Sequence, residues 1–342
     1  PVKSVSALTI GGLLATLSLP VFAAGDTLNL YTARHYQTDE ALYQGFTKAT
    51  GIKINRIEGK EDELFERIKR EGAASPADVF LTVDAARLHL ADEAGIFAPV
   101  KSKMLEERIP AQFRGDENRW FGYSYRARVI AYNPDKINPS QVDSYADLAS
   151  PELEGKICVR SGGHVYNRTL VASVMAHQGE EKAQSWAEGI VNNLARAPKG
   201  GDTDQMRAVA AGECDVAIGN HYYYARLMAS SKPADQEVVS KVSISFPDQD
   251  AQGTHVNVSG GGMLEHAPNP EAAVKFLEYL ASDEAQAYFA NGNNEWPVVK
   301  GVKLDNPQLA KMGDFKVDTL SIAKMADATP AAQRLIDRAG WK

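Results

Sequence analysis

Cysteine is scarce in this chain. Its 342 residues include two, Cys158 and Cys214, with no C-x-x-C pair and no H-E-x-x-H, which leaves no basis for a thiolate zinc site or a helical metalloprotease motif. Basic residues do not dominate either: 37 Lys and Arg stand against 44 Asp and Glu, a formal charge of −7. A mildly acidic surface argues against nucleic acid as the partner. No internal repeat with a period of about 20 to 50 residues is present. No G-x-S-x-G elbow supports a secreted hydrolase, so an enzyme with His35 or His221 as base and Ser161 or a tyrosine as nucleophile or acid lacks a motif. The cluster SGGG at 259–262 lacks the Walker lysine and the dinucleotide spacing, and it reads as a turn.

Long apolar runs are missing beyond the first residues. PVKSVSALTIGGLLATLSLPVFAAGDT carries Lys3, an apolar run from Ala7 to Leu19 and small residues at Ala23 and Ala24. That is the pattern of a secretory signal peptide cleaved near Ala23 or Ala24, so the mature protein is expected to be exported. Gly11, Gly12 and Pro20 interrupt a run already short for the roughly 20 apolar residues of a membrane span.

What remains is an ordinary globular composition, 44% hydrophobic and 24% charged, long enough for two lobes of about 100 to 200 residues each. Strand and helix patterns alternate from LNLYTA (28–33) through IKINRI (52–57) and DVFLTV (78–83), with a helix capped by Thr38, one carrying Leu64, Phe65 and Ile68, and one capped by Asp84. This alternation implies an α/β fold with a mixed, mainly parallel sheet flanked by helices in each lobe. FGYSYRARVIAYNP (121–134) and THVNVSGGGML (254–264) read as two crossings between lobes, as in a hinged type II clamshell. The first lobe then comprises residues 25–125 plus about 256–298, and the second 126–255 plus about 299–342. In the second lobe KICVR (156–160) leads to a helix capped by Asn167, and CDVAIG (214–219) leads to NHYYYARL. PEAAVKFLEYLASDEAQAYFA (270–290) reads as one helix.

Cys158 precedes Tyr166 by eight residues and Cys214 precedes Tyr222 by eight. Equal offsets suggest parallel neighbours in register, with both loops at the strands' carboxyl ends, where open α/β sheets place ligands. In an oxidising compartment the two cysteines would then be close enough for a disulfide; two buried free thiols are the alternative.

Tyr36, Tyr166, Tyr222 and Tyr223 all fall at helix N-termini, where backbone N–H groups and the macrodipole favour negative charge and reduce the cost of ionising a phenol. Arg226, four residues after Tyr222, shares its helix face, and Arg126 lies on the crossing segment. Phenolates are hard anionic donors, and three of them balance a trivalent cation such as ferric iron, with a neutral imidazole adding a donor at no change in charge. Successive helical residues turn about 100°, so the three consecutive tyrosines 222–224 cannot all face one ion. Taken singly, tyrosines near helix ends are more often half-buried packing residues.

RHY at 34–36, SYRAR at 124–128, SGGHVYNR at 161–168 and GNHYYYAR at 219–226 together resemble the periplasmic ferric-iron-binding proteins of bacterial ABC importers, in particular the cyanobacterial-type branch. The resemblance runs through essentially the whole mature chain. It implies a transferrin-like two-lobe fold, Fe³⁺ as cargo held by His35, Tyr36, Tyr166, Tyr222 and Tyr223, and supporting roles for Arg126 and Arg226 outside the ligand set. It also implies a monomer in the periplasm that serves an inner-membrane ABC permease and has no catalytic activity. Glu58, Glu61 or a synergistic anion such as carbonate are open as further contributors. A binding protein of the same fold for thiamine, a polyamine or phosphate is the alternative.

Overall fold

The computed structural model describes residues 26–342; the apolar leader and its cleavage site lie outside the described residues. Strands β1 (Thr27–Thr32), β2 (Lys53–Glu58) and β3 (Val79–Thr82) pair in parallel with β1 in the middle. Next come β4 (Phe121–Tyr132), β5 (Ile157–Cys158), β6 (Val216–Asn220), β7 (Ser243–Ser245), β8 (Val256–Met263) and β9 (Trp296–Pro297). The sheet order is β2-β1-β3-β8-β4-β6-β5, with β7 and β9 also paired to β4. The outer pairs β1–β2 and β5–β6 are parallel, while β8 runs antiparallel to both β3 and β4, and β6 antiparallel to β4. The antiparallel centre follows from the two crossings: the chain goes out along β4 and returns along β8.

β4 is long because it serves both halves of the sheet. Its residues up to Ala127 pair with β8, and from Arg128 onward they pair with β6 and β7. The change of partner at Ala127–Arg128 is where the β1–β3 half meets the β5–β6 half. Among the described residues no helix is long and apolar enough to cross a membrane.

The SGGG run is not a turn but the middle of β8. A Cβ at Gly260 would stand 2.1 Å from the Phe121 carbonyl oxygen, and one at Gly261 2.3 Å from that of Phe80. Glycine is required there because β3 and β4 press on the strand from both sides. The segment 270–290 is also two helices, Pro270–Leu280 and Asp283–Asn291, because the Ser282 side chain accepts from the Ala285 N–H and starts a new helix.

Cys158 and Cys214 are disulfide-bonded, with Cα atoms 5.9 Å apart. The register differs from the one the equal offsets suggest: Cys158 pairs with Ala217, and Cys214 lies just ahead of β6. Backbone N–H groups of Asp215 and Val216 both bond Lys156 O, which pulls the approach to β6 back across the strand next to it. The bond sits in a satellite core with Met206, Val209, Tyr224, Leu227 and Val238. Closing a loop of 56 residues removes unfolded-state entropy worth about 4 kcal/mol in the chain-entropy account. The double variant Cys158→Ala/Cys214→Ala is therefore expected to lose stability of that order in urea titrations. Wild type with reductant should approach the same curve.

Candidate metal centre

Three phenol oxygens meet at the carboxyl ends of β5 and β6. Tyr222 Oη donates to Tyr166 Oη at 2.8 Å, and Tyr166 Oη lies 3.3 Å from Tyr223 Oη. Tyr222 and Tyr223 stand in the first turn of the helix His221–Ala229, directly after β6. Tyr166 stands in the first turn of Val165–Gln178. That helix is capped by His164, whose Nδ1 accepts from the Tyr166 N–H, and not by Asn167. Asn167 is instead buried as the third residue of the helix, where its amide is taken by Arg128, Arg160 and Ser161. Burial, aided by Arg160, lowers the His164 pKa to about 4, which keeps the ring neutral and able to accept. Tyr224 faces away, as the helical step requires, and donates to Val242 O at 2.6 Å.

The frame behind these phenols is a buried arginine that the sequence reading passed over. Arg128 donates to Asp202 and Asn220, each at 2.9 Å, and to Asn167 at 2.7 Å. It thereby ties the starts of three helices and the end of β6 to β4, and its guanidinium lies 5.6 Å from the Tyr166 ring centre. The available signal was its spacing: positions 126 and 128 of a strand lie on the same face. Arg126 bonds Glu295 at 3.2 Å and Asp84 at 3.3 Å, and its Nε is buried without a hydrogen-bond partner.

From the β1–β3 half, Tyr36 is half-buried with the Arg34 guanidinium 4.7 Å from its ring centre, Arg34 itself being locked by Asp39 at 2.8 Å. Tyr36 feels the charges of Glu295, Arg126 and Arg226, the last two shared with the three-phenol cluster. His35 is exposed, with Nδ1 3.5 Å from Glu58 Oε2. Glu61 is turned into the scaffold, accepting from the Val83 N–H at 2.7 Å and from the Thr82 hydroxyl. Arg226 lies 5.2 and 5.4 Å from the Tyr222 and Tyr223 ring centres and donates to Asn293 from the other half of the sheet. His221 accepts from the Ala127 N–H at 3.1 Å, so its other nitrogen, 2.6 Å from Asn294 O, carries the proton. With both nitrogens engaged, this ring is a structural clip and has no base to offer.

In one respect the electrostatics run against the expectation from helix termini. Burial raises the Tyr222 pKa well above the ordinary phenol value and raises Tyr166 to about 12, although Arg126 pulls both down. Burial and the nearby Glu295 raise Tyr36 too. The partial positive charge of a helix N-terminus does not offset the desolvation of an anion in a closed site. Tyr36, Tyr166 and Tyr222 therefore hold their protons at neutral pH.

A fold of two α/β halves joined by two crossing strands, with oxygen donors gathered beside the junction, defines a solute-binding protein of the clamshell class. Residues 41–317 match the model for bacterial extracellular solute-binding proteins, and the chain belongs to that family. It is 50% identical to iron uptake protein A1 of Synechocystis sp. over 92% of this chain and 87% of that protein. It is 29% identical to the Fe(3+)-binding periplasmic protein of Serratia marcescens over 93% of this chain and 92% of that one. Among solved structures, that of the Trichodesmium protein IdiA (FutA) in complex with iron and citrate superposes with a TM-score of 0.89. The identity is 53%, covering 92% of this chain and all of the other.

Proposed function

We propose that the chain captures ferric iron in the periplasm through His35, Tyr36, Tyr166, Tyr222 and Tyr223, acting as a monomer, and delivers it to an inner-membrane ABC permease. The observation that carries this is the meeting of three phenol oxygens, two of them 2.8 Å apart. A small hard cation with bonds of about 2 Å spaces adjacent octahedral donors by about 2.8 Å. Iron uptake proteins from Synechocystis and the iron-bound Trichodesmium structure support the same reading, and none of these relatives is an enzyme. An oxygen-donor anion, such as the citrate of that structure or carbonate, completes the coordination. Arg126 and Arg226 set the field around the phenolates, and closure of the two halves follows from a cargo that binds both. Among the described residues, thiamine, polyamine or phosphate binding finds no comparable donor set.

Loading the purified protein with chelated ferric iron at neutral pH is expected to produce a visible phenolate-to-iron charge-transfer band with one iron per chain. Calorimetry with thiamine, spermidine and phosphate is expected to show no binding. A colourless loaded protein would sink the proposal.

A further inference from the structure

A second group of metal-type donors lies outside the phenol cluster. His89 and Glu93 are one turn apart on the helix Ala85–Glu93, where i, i+4 side chains share a face. Asp327, the last residue of the helix Ile322–Asp327, reaches them from the C-terminal segment. His89 Nε2 stands 3.4 Å from Glu93 Oε1 and 3.2 Å from Asp327 Oδ1, and the three donor atoms lie within 4.8 Å of one another.

Those separations are longer than the about 2.9 Å of an ordinary hydrogen bond. Four donors placed tetrahedrally at about 2.0 to 2.2 Å from an ion sit roughly 3.3 to 3.6 Å apart, so the two His–carboxylate spacings are already close to those of coordinated donors. The imidazole is held, at 18% exposure, while the two carboxylates, at 61% and 71%, are free to adjust. A cleft of about 450 Å³ opens beside the trio, lined also by Val165, Arg168, Thr329 and Gln333, with room for a water ligand. Arg87 in the same wall is paired with Glu61 and Asp62.

We infer that His89, Glu93 and Asp327 form a binding site for a divalent cation of the zinc class, joining the β1–β3 half to the C-terminal helices. One nitrogen and two carboxylate oxygens with an open fourth position suit Zn²⁺, and Co²⁺ as its spectroscopic substitute. The helix Thr329–Ala339, which follows Asp327 directly, packs on Val165–Gln178 and Glu180–Asn192 of the other half. An ion held here therefore favours the arrangement of halves in which Asp327 meets His89.

The test uses the full chain carrying Tyr166→Phe and Tyr222→Phe, so that the phenol cluster does not compete, titrated with Co²⁺ and then Zn²⁺. One equivalent of Co²⁺ is expected to bind with a tetrahedral visible absorption that Zn²⁺ displaces. His89→Ala and Asp327→Asn should each remove the band and weaken binding by at least about tenfold. His35→Ala should leave both unchanged. Asp327 is mostly exposed, so its variant keeps the fold, checked by circular dichroism. Binding no tighter than millimolar, a band that survives both substitutions, or one that disappears with His35 instead, overturns the inference.

Discussion

Tyr222→Phe is expected to strip the protein of its visible charge-transfer absorption and to weaken ferric-iron retention by about a hundredfold or more, since a lost anionic ligand should cost at least as much as the roughly 10- to 100-fold of a lost outer-shell partner. The substitution is small in every other respect. The Tyr222 side chain is 3% exposed and its hydroxyl bonds to Tyr166 and Asn220, so Phe fills the same space and leaves only the buried Asn220 amide N–H without its acceptor, a cost of about 1 to 3 kcal/mol that the thermal melts would show. Tyr224→Phe is the matched control. Its hydroxyl donates to Val242 O in the satellite core, so its removal costs about 1 kcal/mol of stability and no iron. Iron remaining after dialysis against a chelator, read beside thermal melts of the two variants, separates ligand loss from fold loss. Equal retention in Tyr222→Phe and wild type would remove this residue from the ligand set.

The alternation of short strands and helices, the long crossing segment and the adjacent tyrosines were legible in the sequence because each is a local pattern. Period and cap residues gave Asp39–Thr50 its end at Gly51, in the left-handed conformation, and Asp84 its capping bond to the Ala86 N–H. What was not legible depends on neighbours distant in the chain. Asn167 looks like a cap, but Arg128 claims it from 39 residues away. Gly260 to Gly262 look like a turn, but the carbonyls of Phe121, Phe80 and Arg119 press where side chains would stand. The disulfide was one of two alternatives for the cysteines, and the register that suggested it is replaced in the structure by another. The sharpest lesson concerns charge. A helix N-terminus can be read from sequence, whereas the burial that outweighs it exists only once β4, β6 and the helix starts have closed around the phenols.

That burial governs the response to pH. Burial pushes the iron-free pKa of Tyr166 up to about 12 and that of Tyr222 well above the ordinary phenol value, so both carry their protons throughout the physiological range. A phenol coordinated as phenolate must release its proton, and every proton released on binding makes affinity fall tenfold per unit decrease in pH. Tyr166 and Tyr222 alone therefore predict at least about a hundredfold per unit, or roughly ten-thousandfold between pH 7 and pH 5. The sign is fixed by direction: raised phenol values mean that the unbound protein holds more protons than the bound one, so acid drives release and base favours capture. Adding a ferric chelate to the protein in weakly buffered solution, with the chelate's own protonation subtracted, is expected to liberate at least two protons per iron. Tyr222→Phe, at iron concentrations high enough to load it, should liberate one fewer. Uptake without proton release would mean that neutral phenols, or none, hold the ion. A release of protons unchanged by the substitution would place the ionising groups elsewhere.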